Sequence, residues 1–250
     1  MEPHATAALV QPRAVLDFDM RLQLPNHALF VGASMSGKTR LATHLLTHPE
    51  VFADPPRTIL LYYDQPQPAY AEAKRRLAVE SGIDLQLRRG SSVCLDSLPS
   101  FQHPAVLFID DASEATASSD EIARIATNGR HKNISLWLVW HSLYSRHPAS
   151  RIIAQNVSLF FFLPSLRLES QMRTFGCQLG MRDALLSAYH QCVEEAANAA
   201  AAADPDDTRE VVAPVAPSHR YLLVDLGPRT PKTLRLRTNV HLPRQFAFCS

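Results

Sequence analysis

The stretch VGASMSGKTR, residues 31–40, decides the fold predicted for this chain. It contains the spacing G-x-x-x-x-G-K-T, formed by Gly32, Gly37, Lys38 and Thr39. Glycines let such a loop turn so that its backbone N–H groups converge on phosphates, and a helix beginning at the lysine points its positive end at the same anion. The lysine then reaches the β- and γ-phosphates, and the threonine hydroxyl is a ligand for Mg²⁺. The alternative is a polar surface turn with a solvated lysine.

The segments on either side fit a phosphate-binding loop. Residues 28–31 (ALFV) predict a short buried strand, and helical spacing runs from Lys38 to about Leu46. A strand before the loop and a helix after it are the context that this motif requires. We therefore predict ATP and Mg²⁺ as cofactors. The predicted nucleotide-binding residues are Gly32, Ala33, Ser34, Met35, Ser36, Gly37, Lys38, Thr39 and Arg40.

Further apolar runs alternate with helical stretches along the chain. Strands are predicted at residues 58–63, 105–109, 135–140 and 157–162, and helices at 70–80, 118–126, 166–176 and 181–200. Strands that are apolar on both faces and separated by helices predict the α/β class, with a mostly parallel sheet flanked by helices. Residues 221–225 and 233–237 predict two more strands that pair at the sheet edge, with Arg235 and Arg237 on its polar face.

Composition divides the chain into four segments. Residues 1–26 are predicted to be an irregular lead-in, and residues 27–195 the ATPase domain. Residues 196–219, rich in alanine, proline and aspartate, are predicted to be a linker, with an ordered surface loop as the alternative. Residues 220–250 carry the C-terminal strands, which we expect to pack on the ATPase domain.

Two aspartates end the run VLFIDD at residues 106–111. An acid at the end of a buried strand is well placed to hold Mg²⁺ through water, which is the role predicted for Asp110 together with Thr39. Asp111 is predicted to activate or orient the attacking water, with Glu114 as the fallback base. The alternative role of Asp111 is the N-cap of the following helix.

A polar pair ends the next predicted strand, SLWLVWHS at residues 135–142. In P-loop motors the strand after the acidic one lies between it and the phosphate-loop strand, and it carries a polar sensor at its tip. His141 or Ser142 could therefore sense the γ-phosphate. The alternative is that His141 only caps the strand.

Three cations precede that strand in NGRHKN, residues 128–133. Arg130 is the candidate arginine finger, a cation that reaches the γ-phosphate bound by a neighbouring subunit. The loop could instead contact DNA phosphates, or be solvated. Arg146 and Arg151 compete for the same role.

These segments in this order resemble a known family. GASMSGKT, VLFIDD, NGRHKNISLWLVWHSLY and RIIAQNVSLFFF are together similar to the poxvirus-type DNA-packaging ATPases and, more widely, to the FtsK–HerA class of DNA pumps. The resemblance covers about residues 22–178. Its most telling part is G-R-H-x-N-I-S before an apolar strand, a polar tip, and an asparagine before another apolar strand.

The resemblance implies a RecA-like P-loop fold and a role for each matching residue. Asp110 corresponds to the metal-coordinating acid, Asp111 to the catalytic acid, Arg130 to the arginine before the sensor strand, and Asn156 to the asparagine before the fifth strand. The family usually has glutamine at the sensor tip where this chain has His141, and an imidazole can also donate to a phosphate oxygen. Met35 replaces a small residue and fits if its side chain points outward.

The resemblance also supplies the expected biology. It implies a homo-oligomeric ring that pulls double-stranded DNA into a viral capsid, with capsid or portal-vertex proteins as partners, inside the host cell at the site of virion assembly. The 250 residues carry a formal net charge of only +1, so DNA contact must come from local patches or from many subunits together. The four cysteines form no C-x-x-C pair, and there is no secretory signal. We expect a soluble intracellular protein without a membrane partner.

Two other functions compete with a DNA motor. A nucleoside or nucleotide kinase would need an arginine-rich lid, for which residues 85–92 (LQLRRGSS) are a short candidate. A scaffold that binds ATP in order to assemble would hydrolyse it weakly or not at all.

Overall fold

The computed structural model describes residues 12–14, 18–90, 92–110, 119–144, 147–202, 221–240 and 246–248. The strands in these ranges are β1 (Pro12–Ala14), β2 (Ala28–Val31), β3 (Thr58–Tyr63), β4 (Asp84–Arg89), β5 (Ala105–Asp110), β6 (Ile134–Trp140), β7 (Leu159–Phe162), β8 (Leu222–Asp225), β9 (Leu236–Thr238) and β10 (Phe246–Phe248). The α-helices are α1 (Lys38–Leu46), α2 (Pro68–Glu80), α3 (Asp120–Asn128), α4 (Pro148–Asn156), α5 (Glu169–Leu179) and α6 (Arg182–Ala202).

All ten strands form one sheet in the order β1-β10-β9-β8-β7-β2-β6-β5-β3-β4. The part from β7 to β4 is parallel throughout. From β7 outward through β8, β9 and β10 to β1, every pairing is antiparallel. The chain is thus an α/β protein with a mostly parallel central sheet, as the alternating apolar runs predict.

Helices cover both faces of this sheet. Successive residues of a strand point to opposite faces, so Phe30 and Leu29 belong to two different cores. The core around Phe30 includes α1 and α2 through Leu41 and Tyr70, whereas the core around Leu29 includes α3 to α6. Both faces of the parallel strands are therefore buried, which explains why these strands lack the alternating pattern of a half-exposed sheet.

The order of the central strands places the predicted site residues together at the carboxyl ends of the parallel strands. Strand β6 lies between β2 and β5, pairing with both in parallel. This confirms the predicted strand order, in which β6, the predicted sensor strand, lies between the strand before the predicted phosphate loop and the strand that ends in Asp110. Because parallel strands end at the same edge of a sheet, the loop after β2, Asp110 at the end of β5 and His141 after β6 are neighbours.

Some elements differ from the sequence-based expectation. The lead-in contains β1, and residues 85–92, the candidate kinase lid, are mostly taken up by β4, which pairs with β3 at the edge of the sheet. Helix α4 and strand β10 were not predicted. The predicted strand at 233–237 was wrong in position, since Lys232–Leu234 is a 3₁₀ turn and β9 begins at Leu236.

Arg237 is not on a polar face, so that expectation was wrong as well. Its side chain is buried and donates from Nη1 to the Met20 carbonyl at 2.6 Å. Its Nη2 forms an ion pair with Asp225, which is also buried. The pair joins β9 to β8, and the hydrogen bond to Met20 ties it to the segment before β2.

Among the described residues, no helix is both long and apolar enough to cross a membrane.

Candidate nucleotide-binding site

The predicted phosphate loop connects β2 to α1, with a crowded glycine at its start and a glycine in a left-handed conformation at its end. A Cβ on Gly32 would lie only 2.6 Å from Ser36 Oγ and 3.1 Å from the Cβ of Leu163. Gly37 has φ 90°, in the left-handed region where glycine carries no steric penalty. Met35 also has a positive φ, and its side chain is fully exposed, pointing outward as the sequence analysis requires.

Lys38 begins α1 and is almost completely buried, with 5% of its surface exposed. Its ammonium donates to the carbonyls of Gly32 at 2.9 Å and Ala33 at 2.7 Å, so it lies folded against its own loop. It also lies 3.3 Å from Nδ1 of His141. An ammonium can only donate, so Nδ1 accepts and the proton of a neutral His141 is on Nε2.

The contact with Lys38 distinguishes His141 from Ser142, the two candidate sensors of the γ-phosphate. His141 follows β6 and touches the lysine of the predicted loop. The hydroxyl of Ser142 instead donates to the Tyr144 carbonyl at 2.9 Å and lies 3.1 Å from Oε1 of Gln171, which directs it toward α5. Of the two, only His141 has a geometry that fits a sensor.

Asp110 is 1% exposed at the end of β5 and accepts a hydrogen bond from Thr39 Oγ1 to its Oδ1 at 2.6 Å. The two residues are 71 positions apart in the chain. The structure thus brings together the two residues predicted to hold Mg²⁺. Asp111 and Glu114, the predicted catalytic acid and its fallback, lie outside the described residues.

Two further residues bind Asp110 that were not predicted from the sequence. The hydroxyl of Tyr70 donates to Oδ2, and Nε2 of Gln67 lies 3.4 Å from the same oxygen. Both belong to the junction between β3 and α2. The sequence signal was a polar segment directly after a buried strand, at the carboxyl end of a parallel sheet, where ligand-binding residues concentrate.

The remaining loop residues divide by exposure. Ser34 and Arg40 are exposed, and Ala33, Ser36, Gly37 and Thr39 are half-buried. The hydroxyl oxygen of Ser36 is buried and has no hydrogen-bond partner among the described residues. A buried hydroxyl without a partner is uncommon in native proteins, and here it lies inside the predicted phosphate loop.

Arg130 lies at the amino ends of the parallel strands, whereas this loop lies at their carboxyl ends. It lies in the 3₁₀ turn Gly129–Lys132 before β6, whereas Lys38 meets the other end of β6 through His141. Seven strand residues separate the two ends, a distance of roughly 20 Å. Its Nη2 donates to the Asn156 carbonyl at 2.7 Å. Arg130 therefore cannot reach the predicted phosphate loop of its own chain.

The other candidate cations have different environments. Lys132 donates to the carbonyls of Leu95 at 2.8 Å and Leu98 at 2.6 Å, so it ties a neighbouring segment to the sheet. Arg151 is exposed on α4, and Arg146 lies outside the described residues. Within NGRHKN, Arg130 and His131 are exposed.

A cavity of about 680 Å³ also lies at the edge with Arg130. Its lining includes Arg130, Asn156, Asp225 and Arg237, and contains no residue of the predicted phosphate loop. The buried Arg237 in this lining is already paired with Asp225. The cavity is therefore separate from the candidate nucleotide site.

No protein-family model and no curated protein matches this sequence. Among solved structures, the chain is similar to the genome packaging NTPase B204 from Sulfolobus turreted icosahedral virus 2 in complex with ATP-gammaS, at 15% identity and a TM-score of 0.42, over 82% of this chain and 94% of that one. The complex of the same NTPase with AMPPCP gives a TM-score of 0.39. The Legionella pneumophila ATPase DotB gives 13% identity and a TM-score of 0.32, over 68% of this chain and 53% of that one. At these TM-scores the similarities assign no function to this chain.

Proposed function

We propose that this protein is a Mg²⁺-dependent ATPase that drives double-stranded DNA into a viral capsid as part of a homo-oligomeric ring. The observation that carries the ATPase is the 2.6 Å hydrogen bond from Thr39 to Asp110, beside a buried Lys38. It joins a glycine-containing loop at a helix start to an acid at the end of a nearby parallel strand. That arrangement supplies a lysine for phosphate and a hydroxyl–carboxylate pair for a divalent cation.

The chemistry of these residues fits a magnesium–nucleotide complex. A hydroxyl has one O–H and two lone pairs, so Thr39 can donate to Asp110 and still offer a lone pair to a cation. Asp110 would hold the cation through water, and the unpartnered Ser36 hydroxyl would gain an acceptor or donor. When bound, Mg²⁺ neutralises charge that develops on the phosphates during transfer. Lys38 would then donate to phosphate oxygens instead of to the loop carbonyls. His141, which contacts Lys38, would respond to this change.

The position of Arg130 supports a ring. A cation about a strand's length from its own phosphate loop can act on a nucleotide only in another subunit. Contact between the phosphate-loop edge of one copy and the Arg130 edge of the next is a head-to-tail interface, which closes into a ring when the rotation allows. A ring also multiplies a few basic residues into a cationic channel, although each chain carries a net charge of +1.

DNA as substrate and the capsid as destination rest on the family resemblance of the sequence motifs. GRHKNIS, the following apolar strand and Asn156 are the parts of that resemblance beyond the phosphate loop. The host-cell interior at the site of assembly is the corresponding location. A kinase is disfavoured, since its candidate lid is mostly the edge strand β4.

The first experiment measures ATP binding and turnover with and without duplex DNA. We expect duplex DNA to stimulate turnover, and Lys38→Ala to weaken ATP binding by roughly a hundredfold, because a charged hydrogen bond contributes about 1.5–3 kcal/mol. Lys74→Ala, an exposed lysine on α2, is the matched control. Unchanged ATP affinity in Lys38→Ala would refute the nucleotide site.

The same experiment distinguishes the other functions. A requirement for a nucleoside acceptor would favour the kinase, and ATP-dependent assembly without turnover would favour the scaffold. Negative-stain imaging with ATP and duplex DNA tests the ring directly. A monomer that hydrolyses ATP at full rate would overturn the ring and leave the ATPase standing.

A further inference from the structure

Both oxygens of the Asp110 carboxylate accept hydrogen bonds, and the donors come from two different segments of the chain. Oδ1 accepts from Thr39 of the predicted phosphate loop. Oδ2 accepts from the Tyr70 hydroxyl and lies 3.4 Å from Nε2 of Gln67. Asp110 is 1% exposed and Tyr70 2% exposed, so this contact is screened from water. An ionised carboxylate can only accept, and Tyr70 is thus a donor fixed to one oxygen.

The fold delivers these two donors together. Strand β3 is the neighbour of β5, with Tyr63 opposite Asp110 in the register. The chain therefore leaves β3 next to the aspartate and enters α2 immediately above it. Tyr70 is in the first turn of α2, its backbone N–H donates to the Gln67 carbonyl at 3.0 Å, and its ring packs on Tyr63 with 5.2 Å between centroids.

We propose that Tyr70, with Gln67 as an accessory donor, is a positioning residue for the magnesium-binding carboxylate. This rests on the proposed function. By fixing Oδ2, the phenol holds the carboxylate in the rotation that turns Oδ1 toward Thr39, the other residue expected at the cation. Residues that hydrogen-bond a metal ligand from behind orient it, and their loss typically weakens metal affinity by about 10–100-fold.

The proposal also explains why a tyrosine hydroxyl is buried at this position. Most side-chain hydrogen bonds go to backbone or water, whereas Tyr70 uses a carboxylate and so forms a charge-assisted hydrogen bond. Such a bond fixes geometry more strongly than a neutral one. A phenylalanine would fill the same space between α2 and the sheet but would leave Oδ2 without this donor.

The test is the magnesium dependence of nucleotide binding in Tyr70→Phe. We expect the Mg²⁺ concentration that half-restores ATP affinity to rise by roughly tenfold or more, while ATP affinity in EDTA stays within about twofold of wild type. Mn²⁺ binding in the presence of ADP, followed by electron paramagnetic resonance, should weaken in parallel and reports the cation without turnover. Tyr63→Phe is the matched control, since it removes a hydroxyl from the adjacent ring.

A second variant keeps the proposal testable if Tyr70→Phe does not fold. Gln67→Leu changes an exposed side chain, and it should raise the half-restoring Mg²⁺ concentration in the same direction, by a smaller factor. In an Asp110→Asn background, Tyr70→Phe should have no further effect on Mg²⁺. An unchanged Mg²⁺ requirement in Tyr70→Phe, or in Gln67→Leu where the first variant is unfolded, would overturn the proposal.

These outcomes are distinguishable from failure of the proposed function. If wild-type protein binds no ATP in the presence of Mg²⁺, the nucleotide site itself is wrong. If wild type binds MgATP, Lys38→Ala does not, and Tyr70→Phe has wild-type Mg²⁺ dependence, then only the role of Tyr70 is wrong.

Discussion

At Lys38, one ammonium already has three acceptors within hydrogen-bond distance: two loop carbonyls and an imidazole nitrogen. These neutral acceptors bind a cation more weakly than a phosphate oxygen does, so an incoming phosphate can replace them. The same contacts keep the buried charge solvated by protein when phosphate is absent. The lysine is thereby held near the position where the predicted function requires it.

The backbone at Gly37 allows a matched test of the loop. Gly37→Ala adds a Cβ to a residue with φ 90°. Gly82→Ala adds one to a residue with φ 66°, and no atom lies within 4 Å of that Cβ. Each should lower the free energy of unfolding by about 1–2 kcal/mol, measured by urea denaturation. Only Gly37→Ala should also weaken ATP binding in calorimetry. Equal ATP affinities in the two variants would show that the conformation of Gly37 does not shape the site.

The sequence predicted the residues of the loop, but not the neighbours of Asp110. The loop could be predicted because its glycines, lysine and threonine are consecutive and their spacing is itself the requirement. Tyr70 could not, because its contact with Asp110 exists only when β3 lies beside β5, and strand order is not written in any local pattern. The burial of Arg237 could not be predicted for the same reason, since its partners Met20 and Asp225 meet it only in the folded sheet.

At the scale of elements, His27 ties the starts of three strands together. Its Nδ1 accepts from the N–H of Leu136 in β6 at 2.9 Å, and its carbonyl accepts from the N–H groups of Ser158 and Leu159 at the start of β7. The side chain is completely buried. Burial, with a smaller contribution from the charge of Arg130, lowers the pKa of His27 from 6.5 to about 4.

This shift predicts a loss of stability in mild acid. The unfolded chain takes up the proton near pH 6.5 and the folded chain only near pH 4, so the contribution of neutral His27 is complete above pH 6.5 and is lost as the pH falls toward 4. At pH 5 the loss should be about 2 kcal/mol relative to pH 7. Urea denaturation at both pH values should show this loss, and His27→Gln should remove most of it.

The exposed His131, replaced by glutamine in the same way, is the control for that experiment. A pH profile that flattens as much in His131→Gln as in His27→Gln would mean that burial of His27 is not the cause.

At the scale of the whole molecule, Arg130 and the predicted phosphate loop lie at opposite ends of the parallel strands. A single chain therefore holds both halves of the proposed active site but cannot join them. In the proposed ring, a second copy presented head to tail would bring the two halves together.

A mixing experiment tests this arrangement. Arg130→Ala should bind ATP with wild-type affinity and lose most of its turnover, and Lys38→Ala should lose both. Mixed in equal amounts, the two inactive proteins should regain part of the turnover, because some interfaces pair an intact loop with an intact arginine. Arg124→Ala, an exposed arginine on α3, is the control that should keep full turnover. Mixtures that remain inactive, or an active Arg130→Ala, would exclude Arg130 as the shared residue.

Among the strands that the structure describes, β1 pairs with β10, which places Pro12 opposite Phe248, far along the chain. During synthesis at about 5–20 residues per second, the first strand must wait on the order of ten seconds or more before its partner leaves the ribosome. The central parallel strands can assemble in that interval. The edge of the sheet is thus the last part to be completed, and nascent chains should pass through a stage in which β7 has an open flank, because its partner β8 begins only at Leu222.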